Sequence, residues 1–338
     1  MNKDTRDLLA AVAASPAGVH TLATVVRVEG SSYRRPGARL LVHASGLVAG
    51  SVSGGCLEGE IARRGRWWAE AGPVVRRFDE DSSGCGGTID VLIENVIAED
   101  ERGPLAMLRW IAAQRRAARV TTVIGGADAP IGSRRAATAD LVWPASAAAL
   151  ADVSDPPDQC FVEHVAAPRE LLLAGRHHDV APLVRLARTV GWEVTSAASG
   201  ATSRSLGDPD HVLAPVADAV AGWAAARPGA AVVLMTHDLE LDGRLLAAIL
   251  AAGQPGYVGV LGPSHRTARL VADLDAPPRA LAAVRTPVGL DLGGDGPEAI
   301  ALSIVAELQA WTHGRSGLGL CALDTAPWAA RPRLVSGS

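Results

Sequence analysis

The pattern of apolar and polar positions changes character about halfway along the chain. In the first half the apolar runs are β-rich and interleaved with polar residues: VHTLATVVRV over 19–28, ARLLVH over 38–43, VVRRFD over 74–79, TIDVLIENVI over 88–97 and RVTTVIGG over 119–126. Each predicts a strand. Asp4 can cap a helix carrying Leu8, Leu9 and Val12, which Pro16 and Gly18 end, and further helices are predicted over 57–71 and 104–114. In the second half the strands become apolar throughout, as in LLLA over 171–174, AVVLMT over 231–236 and YVGVLG over 257–262, with one more strand over 192–197. They alternate with helices predicted over 180–190, 241–252 and 264–274. Continuous apolar strands alternating with helices require a parallel sheet covered on both faces. A last helix starts at Pro297 and carries Ile300, Ile304, Val305 and Leu308 as its buried stripe.

The expected fold class is therefore α/β: an N-terminal α+β domain over 1–145 and a doubly wound parallel-sheet domain over 169–312. Between them, 146–168 is rich in Ala, Ser, Asp and Pro and reads as a linker, and 313–338 lacks periodicity and reads as an extended tail. With 338 residues, 48% of them hydrophobic, the chain can fill two cores. A net charge of −4 gives no field that would draw nucleic acid or an anionic membrane. The four cysteines, at 56, 85, 160 and 321, form no CxxC pair, which favours reduced thiols over a disulfide framework or a zinc site. Charges at Lys3, Asp4, Arg6 and Asp7 interrupt the stretch where a signal peptide would be apolar, so a cytoplasmic protein is expected.

Two cysteines stand in glycine-rich company, in SVSGGCLE (51–58) and SSGCGG (82–87). Glycine lets backbone amides come close to a ligand, and Cys56 opens a predicted helix whose free amides favour anions and thiolates. GSSYRRPG (30–37) adds hydroxyls and two guanidiniums suited to oxyanions. GSSYRRPGARL, GSVSGGCLEGE and GCGGTIDVLIE, in this order, resemble the N-terminal signature of the XdhC/CoxI family. The resemblance implies an accessory protein that binds the molybdenum cofactor, supports its sulfuration and inserts it into a xanthine-dehydrogenase-like molybdenum hydroxylase. It also implies a cysteine desulfurase as a further partner and a homodimer. Carried onto this chain, Cys56 and Cys85 become candidates for holding cofactor or sulfur. Ser31, Ser32, Arg34, Arg35, Gly54, Gly55, Glu58, Gly86 and Gly87 become candidates for the rest of the molybdopterin site.

LLLAGRHHD (171–179) occupies the strand-to-helix turn where a dinucleotide fingerprint belongs, which makes the second domain Rossmann-like. Gly175, His178 and Asp179 match the family's usual turn, while Arg176 and His177 replace a small residue and the second glycine. The next strand ends Ala197-Ala198-Ser199, with no carboxylate for a ribose 2′-hydroxyl, so Ser199 and Arg204 are candidates for the 2′-phosphate of NADP instead. Thr236, His237, Asp238, Gly262 and Asp291 follow predicted strands at the carboxyl edge of the sheet, where open α/β folds bind ligands. The competing expectation is an NADP-dependent oxidoreductase of the same ancestry, in which basic groups at the altered turn, His178 among them, serve as acid or base.

Overall fold

The computed structural model of the chain describes residues 3–14, 17–43, 45–46, 48–79, 87–126, 129–147, 150, 159–253, 256–272, 274, 278–281 and 284–319. The chain divides into two compact units, Met1–Pro168 and Arg169–Ser338.

In the first unit α1 (Lys3–Ala14) leads into β1 (Val19–Glu29), β2 (Arg39–Val42) and β3 (Val48–Gly50), followed by α2 (Glu58–Trp68), β4 (Val74–Asp79) and β5 (Thr88–Ile97). The five strands form one antiparallel sheet in the order β3-β2-β1-β5-β4. The period-2 alternation of β1 splits its side chains between two cores. Ala23 and Val25 pack with Leu40, Ile61, Val91 and Ile93 on the α2 face, and Leu22 packs with Leu8, Val12 and Leu41 on the α1 face. Because both faces are covered, β1 reads as one buried run from His20 to Val26 and not as a half-polar strand.

After α3 (Pro104–Gln114) come β6 (Ala118–Val123), β7 (Arg134–Ala137) and β8 (Cys160–Val165), a small antiparallel sheet ordered β7-β6-β8. Two buried ion pairs tie this sheet to the larger one: Arg39 of β2 with Glu163 of β8, and Arg134 of β7 with Glu94 of β5. β8 corrects the expected linker. Its residues pair with β6 from Ala118↔Val165 to Val123↔Cys160, so the first unit runs to Pro168. The alanine- and proline-rich composition before it hides the strand, because only Phe161, Val162 and Val165 carry β character and they follow a polar run.

The second unit contains β9 (Arg169–Ala174), α4 (Val180–Thr189), β10 (Trp192–Ala197), β11 (His211–Leu213), α5 (Ala217–Ala225), β12 (Ala231–Leu234) and α6 (Leu239–Ala252). It continues with β13 (Tyr257–Val260), α7 (Ser264–Ala272), α8 (Pro278–Leu281), β14 (Val284–Arg285) and α9 (Pro297–Thr312). All six strands run parallel in the order β11-β10-β9-β12-β13-β14. Counted within the unit this is the 3-2-1-4-5-6 order of the Rossmann fold, with the topological switch between β9 and β12. Leu171 and Leu173 enter the core beneath α4 and α9, and Leu172 and Ala174 the core beneath α5 and α6. Trp311 of α9 stacks against Trp192 at 6.4 Å and meets Tyr257 at 5.3 Å, so two of the chain's tryptophans seal the far end of the first of these cores.

Candidate functional site

In an antiparallel sheet, alternate loops leave from the same edge, and here that puts the first two glycine-bearing motifs and Gly87 of the third together. β1 ends at Glu29, β2 begins at Arg39, β3 ends at Gly50, β4 ends at Asp79 and β5 begins at Thr88, with Glu29, Asp79 and Thr88 in register. The backbone of Gly87 lies directly on the 29–31 turn, where a Cβ would stand 1.9 Å from the Ser31 carbonyl oxygen. Gly54 faces the Tyr33 side chain, 3.7 Å from where its Cβ would be. Of the third motif only Gly87 can be placed, since Cys85 and Gly86 lie outside the described residues.

Glu58, the first residue of α2, organises the second motif. One carboxylate oxygen accepts from the Ser51 hydroxyl at 3.0 Å and from the amides of Val52 and Ser53 at 3.1 and 2.8 Å. The other accepts from the Ser53 hydroxyl at 2.5 Å, and that hydroxyl in turn accepts from the amides of Gly55 and Leu57. Burial pushes this carboxyl up, but the donors from Ser53, Ser51 and the backbone outweigh it and hold it at about 2. Glu58 therefore acts on any ligand through the loop it shapes, because its own acceptor sites are filled. Gly54, Gly55 and Cys56 stand exposed at the tip of that loop, with Cys56 two residues ahead of α2 and carrying a free thiol.

The first motif borders a cavity of about 490 Å³ lined by Tyr33, Arg34, Arg35, Phe161 and His164 among others. Arg34 is ion-paired with Asp4 of α1, which neutralises half of the cationic pair. Arg35 is exposed and has no ion pair among the described residues. The Ser32 hydroxyl and Arg34 Nε are buried and lack partners among the described residues. Ser31 is exposed beside them. Asp4, Phe161 and His164 were not legible as site residues, since they come from a helix and a strand far away in sequence.

In the second unit the residues after β9, β10 and β12 line a cavity of about 390 Å³ at the switch point. Gly175, Arg176, His177, Ser199, Thr236, His237 and Asp238 all border it, with Ala197, Ala198, Pro215 and Leu241 as its apolar wall. Gly175 is required by a close approach: a Cβ there would stand 2.6 Å from the Met235 carbonyl oxygen. Asp179 is 5% exposed and accepts from His237 Nε2 at 2.6 Å. His237 takes a left-handed backbone, φ 61°, and the His177 ring meets it edge-on at 4.9 Å. Asp238 caps α6 by accepting from the amides of Glu240 and Leu241 at 3.0 Å. Beneath it, the fully buried Asp242 accepts from the Thr236 hydroxyl at 2.7 Å and pairs with Arg266 at 3.0 Å, while burial pushes its carboxyl up. Asp242 escaped the sequence reading because a lone acid inside a helix resembles surface charge. His178, Arg204 and Asp291 are exposed and do not border this cavity, and neither does Gly262, which follows β13.

Two family descriptions match: the XdhC and CoxI family over residues 18–79, and the XdhC Rossmann domain over 171–308. Together they span more than half of the chain. The chain belongs to the XdhC/CoxI family. It is 28% identical over 317 residues to a probable xanthine dehydrogenase subunit of Bacillus subtilis, covering 85% of this chain and 91% of that protein. It is also similar to the crystal structure of a protein described as a xanthine dehydrogenase from Bacillus halodurans. That likeness has 26% identity and a TM-score of 0.75, covering 94% of this chain and 97% of the other. Among the described residues no helix is long and apolar enough to cross a membrane.

Proposed function

We propose that this member of the XdhC/CoxI family is an accessory protein that binds the molybdenum cofactor, supports its sulfuration and delivers it to a xanthine-dehydrogenase-like hydroxylase. The observation that carries this reading is the gathering of the glycine-bearing loops at one edge of the five-stranded sheet, with the exposed Cys56 at the tip of the loop that Glu58 holds. The cofactor is cargo here. Its pterin ring needs backbone donors and acceptors at close range, which glycine-flanked loops supply. Its phosphate suits the exposed Arg35, whose guanidinium matches an oxyanion. The exposed Cys56 thiol is suited to ligate the cofactor's metal or to carry a sulfur in transit. Cys85, on the third motif, is the proposed second thiol, and a cysteine desulfurase the proposed sulfur source.

The names of the relatives support a client of the xanthine dehydrogenase class. The test is to purify the chain with its client from a host that makes the cofactor, and to measure bound molybdopterin by mass spectrometry and client activity by turnover. Substituting Cys56→Ala together with Cys85→Ala is expected to lower sulfurated cofactor in the client by about tenfold or more, at least what loss of an outer-shell partner costs a metal site. Full client activity with both thiols removed would refute the assignment.

A further inference from the structure

The turn after β9 breaks the dinucleotide pattern in a consistent way. Asp179 stands at the N-cap position of α4, where an aspartate ordinarily accepts from the first-turn amides, yet it makes no capping hydrogen bond. Its carboxylate has turned away to His237, so the helix terminus is left without a side-chain cap. One oxygen of this buried carboxylate, Oδ1, has no partner among the described residues. With Nε2 donating to Asp179, Nδ1 is the His237 nitrogen left to meet a ligand, and His237 borders the cavity. β10, where a ribose-binding carboxylate would sit, ends Ala197-Ala198-Ser199. The acceptor has in effect moved from the end of β10 to the end of β12. Holding a histidine in the left-handed region is costly, which marks a position whose geometry is imposed by its surroundings.

The extent of the cavity limits the ligand. It spans the β9, β10 and β12 edges without reaching the residues after β13 or β14, and its volume suits a ligand the size of one nucleotide. His177 stands where a second glycine would let a pyrophosphate cross the switch point, and its ring is packed against His237. Arg176 is exposed, lines the cavity and has no ion pair among the described residues.

We propose that the second unit binds a single ribonucleoside monophosphate, with the phosphate on Arg176 and a ribose hydroxyl on Nδ1 of His237. The apolar wall of Ala197, Ala198, Pro215 and Leu241 takes the base. This site is separate from the cargo reading of the first unit and stands or falls independently of it.

Titration calorimetry of the full chain with AMP, GMP, CMP, UMP, NADP and the 2′,3′-dideoxy form of AMP tests it. At least one monophosphate is expected to bind, with the whole dinucleotide weaker and the dideoxy form weaker by about tenfold, the loss of one hydrogen bond. His237→Asn, which tolerates the left-handed backbone, is expected to lower affinity by a similar factor, and Arg176→Ala likewise. His177→Gly is expected to raise NADP affinity by about tenfold, a gain that misfolding cannot produce. No binding of any monophosphate at millimolar concentration overturns the proposal, as does wild-type affinity in His237→Asn or NADP binding more tightly than every monophosphate.

Discussion

A carboxylate that serves as the acceptor for a whole loop loses its purpose when it is protonated, and Glu58 is such a group. Its two oxygens hold Ser51, Val52 and Ser53 in place ahead of α2, and these donors keep its carboxyl at about 2, against an ordinary 4.5. The sign follows from linkage: a carboxyl depressed by folding stabilises the native state above its unfolded value, and that contribution disappears as pH falls through the folded value. The stabilisation from Glu58 is thus complete above about pH 4.5 and lost between there and about pH 2. Glu58→Gln keeps the shape and removes the titration. Thermal melts from pH 6 to pH 2 are expected to show a smaller acid-induced drop in Tm for the variant than for the parent chain. Equal drops would mean that the loop is held by something else. The same residue explains why the exposed thiol at Cys56 has a defined position at all, since the loop that carries it has few apolar contacts of its own beyond the buried Val52 and Leu57.

Elements differ in how openly the sequence declares them. The β1 and β5 runs are long and β-branched, and the apolar strands of the second unit, though short, are unbroken by polar residues and followed or preceded by glycine, so pattern alone finds them. β7, β8, β11 and β14 span four, six, three and two residues, and α5 is built almost wholly of alanine and glycine around Val220 and Trp223. Such short pieces exist because neighbours pair with them, and that information is not local. The same holds for the sites. Cys56, Arg35, His177 and His237 could be picked out by residue type and position, whereas the Asp179–His237 bond, the Arg34–Asp4 pair and the part played by Asp242 depend on contacts that no spacing displays. Pairs between elements also carry more energy than pairs along one. Arg134 and Glu94 join the two sheets of the first unit with side chains 10% and 4% exposed. Removing one partner strands a buried charge, so Glu94→Ala is expected to cost about 3–5 kcal/mol. Glu60 pairs with Arg64 one turn along α2 in the open, and Glu60→Ala is expected to cost no more than about 0.5 kcal/mol. Denaturant unfolding of the two variants checks the contrast, and similar costs would contradict it.

At the scale of the whole molecule, the placing of β8 decides where one folding unit stops. The hydrophobic clusters of the second unit draw only on residues from Leu171 onward, and its six strands all pair with one another. The first unit is closed in the same sense only if β8 is included. Val165 belongs to the cluster that α3 builds with β6 and β7, the β6 edge pairs with β8 along its whole length, and Glu163 is the partner of the buried Arg39. A chain ending at 145 would expose that edge to water, remove Val165 from the core and leave Arg39 buried without its counter-charge, a combination that exceeds the few kcal/mol of net stability a domain of this size commands. Residues 1–168 are therefore expected to give a soluble fragment with one cooperative unfolding transition, and residues 1–145 an unfolded or aggregating one. Circular dichroism and denaturant titration of the two fragments distinguish these outcomes. A cooperative transition in the shorter fragment would show that β8 is an ornament on the small sheet, and would move the boundary back to where composition alone would put it.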